Sequence, residues 1–477
     1  MFYATHRNKL TITELTAIFF ATALLVLPFN EFSSLSILGE LSAEAAAYPM
    51  LLVVGLYSVR MLLGKIDFPK HVSFIFLLVF FGWIIISGAV NFQSIIENFT
   101  KGRTGYNKYV LQVILFSFML ISALAVYRLV QRQWREQTLF MLRRWLLYSF
   151  LLAATYSLIE IPYILFGAGW ASGLLELINP LIRSEEGAGL YGGNRLRSVS
   201  GEASWFAMFM AFALPWLLSY IFTEKGGKKW FYVGLNIYAI FMIYLTYSRT
   251  AYAITAAEVM AFISAVTGFG GLKFKKYLVL ILFGLVISTT LYMVSTDRPY
   301  ERIEEIVMSL TTSGEETGYY MSNIGRMGSQ KAAWRMSLEW PIFGAGLGQY
   351  GFHMPDYIAS EAFISDEVRR WVSTSEGTTW ASVHGIYPRF AAETGIVGLS
   401  LWLLMWLTLC WSIWQRCRLS LKRGIIIELT LLISIGGTLL VGFNADTFRF
   451  FGYWFLLAIG WAYVSANSPI QKTVVTS

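Results

Sequence analysis

Charge is what this chain has least of. Of its 477 residues, 14% are Asp, Glu, Lys or Arg, against roughly 25% in an ordinary soluble domain. Beside 56% apolar residues, that shortage excludes a water-soluble multidomain enzyme. It equally excludes a disordered chain, which needs low hydrophobicity and high charge. Cysteine is nearly absent: Cys410 and Cys417 flank the end of one apolar run beside Arg416 and Arg418. A disulfide is not expected there, and the spacing matches no metal site. There are four histidines, and no Cys/His or carboxylate cluster has metal-ligand spacing, so no metal is expected. Nucleotide fingerprints are missing too. The Gly344-Ala345-Gly346-Leu347-Gly348 turn follows a helical pattern instead of a strand, and no P-loop or G-x-G-x-x-G occurs. Without an ATPase domain or a cofactor motif, any reaction must draw its energy from the substrate or an ion gradient. The net charge of +8 does not call for nucleic acid, because basic residues of membrane proteins gather on the cytoplasmic face. No fixed-period repeat or low-complexity tract is present.

What the chain does have is long apolar stretches, about twelve of them, each near the roughly 20 residues that cross a bilayer. They run over Ile12 to Leu27, Tyr48 to Leu63, Val72 to Val90, Val110 to Tyr127, Trp145 to Phe166 and Trp205 to Phe222. The remainder cover Phe231 to Tyr247, Ala251 to Val266, Tyr277 to Val294, Gly395 to Ile413, Ile425 to Val441 and Phe451 to Val464. The expected fold is an all-α polytopic membrane protein, one integral membrane domain over residues 1–477, with aromatics anchoring its interfaces. The first span is expected to remain as a helix, because small residues near Ala43 to Ala45 lie well beyond its apolar end.

Lys and Arg mark alternate short loops: Arg60, Lys65 and Lys70; Arg128 to Arg144; Lys225, Lys228 and Lys229; Arg416 to Arg423. These assign that side to the cytoplasm, with both termini on it. The loop with Lys101, Arg103 and Lys108 violates the alternation. Two external segments stand out, a smaller one over 167–204 and a larger one over 296–383. In the larger, Ile303, Ile306, Val307 and Leu310 recur at helical spacing against Glu301, Arg302, Glu304 and Glu305, an amphipathic helix. A second helix over Arg326 to Trp340 ends at Pro341. Loops of this length are uncommon unless functional.

The candidate residues are few. His384 lies where the larger loop re-enters the membrane, and a neutral imidazole there can take a proton from a hydroxyl. An ordinary interfacial histidine is the simpler alternative. Arg249, in Tyr247-Ser248-Arg249-Thr250, lies between two apolar runs, where burying its charge costs roughly 2.5–3.5 kcal/mol. It either snorkels to an interface or binds an anion, for which guanidinium geometry suits phosphate. Arg326 opens the second loop helix. Glu202, close to Arg197, enters a span from the outer side and suits a helix N-terminus. Glu160 and Glu258 lie inside apolar runs, as functional groups or as donors between helices.

With these residues in view, the chain resembles the bacterial O-antigen ligase and polymerase superfamily. His384 followed by Gly395-x-x-Gly398 fits its hallmark, with Gly385 where Asn, Ser or Gln often follows the His. Arg326, Pro341, Gly344 and Gly346 match a second motif, with Gln330 in place of an aromatic, and Ser248-Arg249 matches a third. The resemblance runs from about Arg195 to Leu404. It implies a membrane glycosyltransferase that moves an undecaprenyl-diphosphate-linked glycan to an acceptor sugar hydroxyl outside the inner membrane, with inversion and without a metal. In it Arg249 and Arg326 bind the diphosphate, His384 acts as base on the acceptor hydroxyl or orients it, and Glu202 and Arg197 hold acceptor sugar. The acceptor distinguishes the branches: a lipid-linked repeat unit for a polymerase, lipid A-core for a ligase, a protein for a third. Glu202-Ala203-Ser204 resembles a Glu-Pro-Ser motif of exopolysaccharide polymerases and favours that branch, for which a chain-length regulator is a possible partner. A transporter or flippase of lipid-linked glycan is the alternative from another class. Its binding residues would sit at the midplane of related halves, whereas these gather on one side.

Overall fold

The structure, a computed structural model, describes residues 11–32, 36–62, 68–132, 137–184, 187–191, 195–270, 318–373, 379–422 and 426–466. Ten helices fill the first 270 residues: α1 (Ile12–Leu25), α2 (Ala47–Leu62), α3 (Val72–Val90), α4 (Phe92–Glu97), α5 (Gly105–Arg132), α6 (Thr138–Phe166), α7 (Gly169–Ile182), α8 (Ala203–Thr223), α9 (Gly226–Leu245) and α10 (Arg249–Gly270). Six more follow: α11 (Gly318–Glu339), α12 (Tyr350–Tyr357), α13 (Asp366–Val372), α14 (Ile386–Lys422), α15 (Ile427–Val441) and α16 (Phe451–Ser465). Among the described residues the one sheet is a two-stranded antiparallel hairpin pairing Phe99 with Thr104 and Thr100 with Arg103. The chain is therefore all-α. Every apolar stretch read from the sequence falls in a helix except Tyr277 to Val294, which lies outside the described residues, as does the amphipathic pattern around Ile303. Five of the described helices, α3, α5, α6, α8 and α14, are long and apolar enough to cross a membrane, and α1, α2, α15 and α16 are shorter apolar helices.

Position in the bundle explains the apolar patterns. Helix α8 is buried on nearly every side, so it has no need of a polar face. On the rim, α3 turns Ile75, Ile85 and Ile86 outward and α6 turns Leu158 outward, as lipid-facing helices do. Helix α7 is amphipathic: Ala171, Leu175 and Asn179 face in, while Trp170, Leu177 and Leu181 are exposed. Aromatic edges fill the centre, with Phe80 against Phe116, Phe390 and Trp402.

One break in this helical order positions the site. Helix α14 is interrupted at Gly395, whose φ is 71°. An interruption frees backbone groups that need partners inside an apolar bundle, and the turn after α11 supplies them. The Ala345 N–H donates to the Ala392 carbonyl (2.9 Å), Gly346 N–H to that of Glu393 (2.9 Å), and Ile396 N–H to that of Pro341 (2.8 Å). From α3, Ser87 Oγ donates to the Phe343 carbonyl (2.6 Å) and Trp83 Nε1 to that of Thr394 (2.8 Å). Approach this close requires glycine: a Cβ at Gly344 would lie 2.3 Å from Glu393 carbonyl carbon, and one at Gly395 2.0 Å from Ile342 oxygen.

The structure also accounts for the loop that breaks the charge alternation. Lys108 Nζ lies 2.6 Å from Glu40. Lys101 Nζ donates to the carbonyls of Arg370 (2.6 Å) and Thr379 (2.8 Å), and the Arg103 guanidinium stacks 5.1 Å above Trp380. These cations serve the polar end of the bundle that holds His384.

Gly344→Ala and Gly395→Ala should each lower the melting temperature in detergent by the equivalent of about 1–3 kcal/mol of backbone strain or more. Gly234→Ala, where an added Cβ meets nothing, should melt like the wild type; equal melting of all four proteins would count against the turn as the organising contact.

Candidate active site

At this end of the bundle lies a cavity of about 540 Å³. His384, Arg326 and Glu202 all line it, together with Ser248 and Thr250. It is thus where residues far apart in the chain and chosen from sequence meet. Arg249 is not on the lining. Its guanidinium donates to Asn323 Oδ1 of α11, one helical turn before Arg326. Arg197 is not on the lining either. It is buried, donating to the carbonyls of Gly201 (3.2 Å), Gly187 (3.2 Å) and Gly189 (2.7 Å) and lying 3.7 Å from Glu31. This shapes the loop that ends in Glu202. Glu202 is the N-cap position of α8 without a side-chain capping bond; it accepts from Ser204 Oγ at 3.0 Å. Of the intramembrane acids, Glu160 accepts the N–H groups of Arg197 (3.2 Å) and Ser198 (2.8 Å), which ties the same loop to α6. Glu258 lies away from this cavity, with no hydrogen-bond partner among the described residues.

His384 is held in the left-handed backbone region, φ 56°, which costs a non-glycine residue on the order of 1–3 kcal/mol. Its surroundings stabilise that conformation. Gln330 Nε2 donates to the His384 carbonyl (2.6 Å) and to the Phe443 carbonyl (2.9 Å), so the residue standing where the family pattern has an aromatic braces the histidine. Asp446 Oδ2 accepts from Ser382 Oγ and from Val383 N–H, both at 2.8 Å. The imidazole packs on Trp371 with centroids 5.5 Å apart. Arg326, by contrast, is poorly supplied: its Nε is buried and makes no hydrogen bond among the described residues.

Several charged lining residues were missed in the sequence. Arg389 bonds Glu393 (3.0 Å), the Asp446 carbonyl (2.8 Å) and Gln112 (2.9 Å); Arg449 lies 3.3 Å from Glu44 and 3.8 Å from Glu40. The i, i+4 spacing of Arg389 and Glu393 was a usable signal, as were Asp446 and Arg449 in a short loop between two apolar runs; Glu367 gave none. Burial works to raise the Glu40 carboxyl, but Lys108 and Arg449 outweigh it and hold it at about 2. For Glu44 burial wins over Arg449 and lifts it to about 7. Burial also opposes ionisation of Asp446, yet Arg389, His384 and its two hydrogen bonds keep it below the usual carboxylate range. Glu367 is lowered first by His384, against burial, with Arg326 and Arg370 adding to the effect. Most cations here thus have acid partners, while Arg326 combines a buried nitrogen with an open face to the cavity. Among the described residues no group of three His, Cys, Asp or Glu side chains is placed to hold a metal ion.

The helical bundle thus carries at one end a charged cavity lined by His384, Arg326 and Glu202, with His384 braced by Gln330. Residues 234–403 match the O-antigen ligase family (Wzy_C), which supports the resemblance to the O-antigen ligase and polymerase superfamily read from the motifs. The matched segment contains Arg249, Arg326, His384 and both glycine motifs, and excludes Arg197 and Glu202. No curated protein matches the chain.

The two acids predict opposite pH slopes. Glu40 has its folded pKa below the unfolded value, so its contribution is complete above about pH 4.5 and fades as pH falls toward 2. Glu44 is raised, so ionising it costs stability as pH climbs from about 4.5 through 7. Melting curves in detergent should show the wild type's advantage over Glu40→Gln shrinking below pH 4.5. Glu44→Gln should gain on the wild type as pH rises to 7; parallel curves for either variant would contradict the assignment.

Proposed function

We propose that the chain is a glycosyltransferase of the cytoplasmic membrane with about twelve spans, both termini cytoplasmic and the cavity facing outward. The donor is a glycan on undecaprenyl diphosphate. Arg326, with Arg249 beside it on the neighbouring helix, binds the diphosphate by charge-assisted hydrogen bonds. The acceptor sugar O–H gives its proton to His384 as its oxygen attacks the donor's anomeric carbon from the face opposite the phosphate. The carbon–phosphate oxygen bond breaks, its electron pair leaves with the lipid diphosphate, and the guanidinium groups stabilise the developing charge. This mechanism inverts the anomeric centre and asks for no metal or cofactor. Glu202, with Ser204, holds acceptor hydroxyls at the cavity wall, and Arg197 acts by shaping their loop. The observation that carries this reading is the convergence of His384, Arg326 and Glu202 on one cavity.

Polymerisation of O-antigen or exopolysaccharide repeat units is the preferred activity, on the Glu202-Ala203-Ser204 segment, with a lipid-linked repeat unit as acceptor and a chain-length regulator as possible partner. The family description, O-antigen ligase, favours transfer to lipid A-core as the second reading. Purified protein in lipid nanodiscs given lipid-linked repeat units should make a glycan ladder without core. A single transfer dependent on added core would instead establish the ligase, and movement of the lipid-linked unit without any transfer would rule out the enzyme. His384→Ala and Arg326→Ala should each reduce transfer by about 10²-fold or more, Arg326→Lys less; full activity in either alanine variant would exclude that residue's role.

A further inference from the structure

We infer that Glu367 is the positioning residue for His384, fixing the imidazole so that Nδ1 and not Nε2 faces the acceptor. This rests on the transfer reaction proposed above and names a residue no sequence motif singled out. Helix α13 presents Glu367 and Trp371, one turn apart, to the same ring. Trp371 stacks at 5.5 Å with an interplanar angle of 38°, and Glu367 Oε1 stands 3.7 Å from Nε2. The helix is anchored by buried Val368 and Trp371, and Gly325 of α11 lets it approach: a Cβ there would meet Ser365 Oγ at 2.8 Å.

The two ring nitrogens are not equivalent. Among the described residues Nε2 is buried and makes no hydrogen bond, and the acid across from it is its one ionic contact. His384 lines the cavity, and with Nε2 turned to Glu367 the ring edge that carries Nδ1 is the one left for a substrate held there. A neutral imidazole carries one proton, and the carboxylate favours placing it on Nε2. The lone pair is then on Nδ1, toward the cavity. When Nδ1 takes the acceptor's proton, the ring becomes an imidazolium beside Glu367, which stabilises it as an acid stabilises the base in other nucleophile–base–orienter arrangements. A contraction of about 0.7 Å would turn the 3.7 Å contact into a charge-assisted hydrogen bond, as catalytic contacts tighten on substrate binding. The charged groups about the ring are Glu367 and Arg370 from α13, Arg326 from α11 and Asp446 from the loop before α16. Asp446 is already engaged by Ser382 and Val383, which leaves Glu367 as the acid facing the ring.

The test uses the full chain labelled with ¹⁵N-histidine, His384→Ala assigning the signal among the four histidines. Neutral His384 should give the shift pattern of a proton on Nε2, and Glu367→Gln should move its titration to lower pH, because loss of the carboxylate destabilises the imidazolium. In the glycan assay the same variant should lower kcat by about tenfold to a hundredfold, part of the roughly 10²–10⁴-fold a general base supplies. The acid limb of its pH profile should shift down while the donor KM is unchanged, and Glu367→Asp should recover part of the rate. A proton on Nδ1, or a His384 titration unmoved in both Glu367 variants, would overturn the inference. Because the spectrum needs no turnover, failure of the wild type to transfer glycan would refute the enzymatic reading and leave the pairing to be judged by the titration alone. Should Glu367→Gln not elute as folded protein, Glu367→Asp carries the same comparison.

Discussion

The backbone pairing between the glycine turn after α11 and the broken turn of α14 is the contact on which the site depends. A helix inside an apolar bundle can be interrupted only where other groups satisfy the freed N–H and carbonyl groups. Here the 341–346 segment and the side chains of Trp83 and Ser87 do so. The pairing links α11, which carries Arg326, to the helix that begins two residues after His384. Gly395-x-x-Gly398 and Pro341-x-x-Gly344-x-Gly346 read in the sequence as separate motifs; in space they are two halves of one joint.

Around that joint, charge is tolerated because nearly all of it is paired. Arg389 is shared among Glu393, Gln112 and the Asp446 carbonyl, Arg449 between Glu40 and Glu44, and Lys108 is held by Glu40. Breaking a buried pair such as Arg389–Glu393 leaves an uncompensated charge, at a cost of about 3–5 kcal/mol; the Glu40 contacts are partly exposed and screened, and together these networks shape the cavity walls. Against this background Arg326 is informative: it lines the cavity, its Nε is buried without a hydrogen bond, and, unlike Arg389 and Arg449, it makes no ion pair among the described residues. Charge arranged in advance to meet a substrate's charge is a general means of lowering a barrier, and Arg326 has that character. Arg197 shows the contrary case: its guanidinium donates to three loop carbonyls.

The helices were legible in advance because a bilayer-length apolar run admits few other structures. The boundaries of α3, Val72–Val90, coincide with those read from the residues. The gathering of His384, Arg326 and Glu202 was legible from sidedness, since alternate loops of a polytopic chain share a face. The Lys101–Lys108 loop was misleading for the same reason. Its cations read as orientation signals, whereas they bond acids, carbonyls and an indole at the cavity. Arg389 escaped notice because a basic residue just inside a helix looks like any snorkelling charge until its partners on α5 and in the last loop are known.

By itself the sequence determined that this chain is a helical membrane protein, where its helices run, and that the few charged residues away from the basic loops are the ones to examine. Those properties depend on composition and local spacing, which transfer cost and helix geometry translate directly. Which arginine braces a loop and which lines the cavity, that Gln330 braces His384, and which ring nitrogen Glu367 of the preceding helix confronts were decided by tertiary structure. Each depends on contacts between segments from 17 to 166 residues apart, and hydrogen-bond direction at such contacts has no local pattern from which to be read.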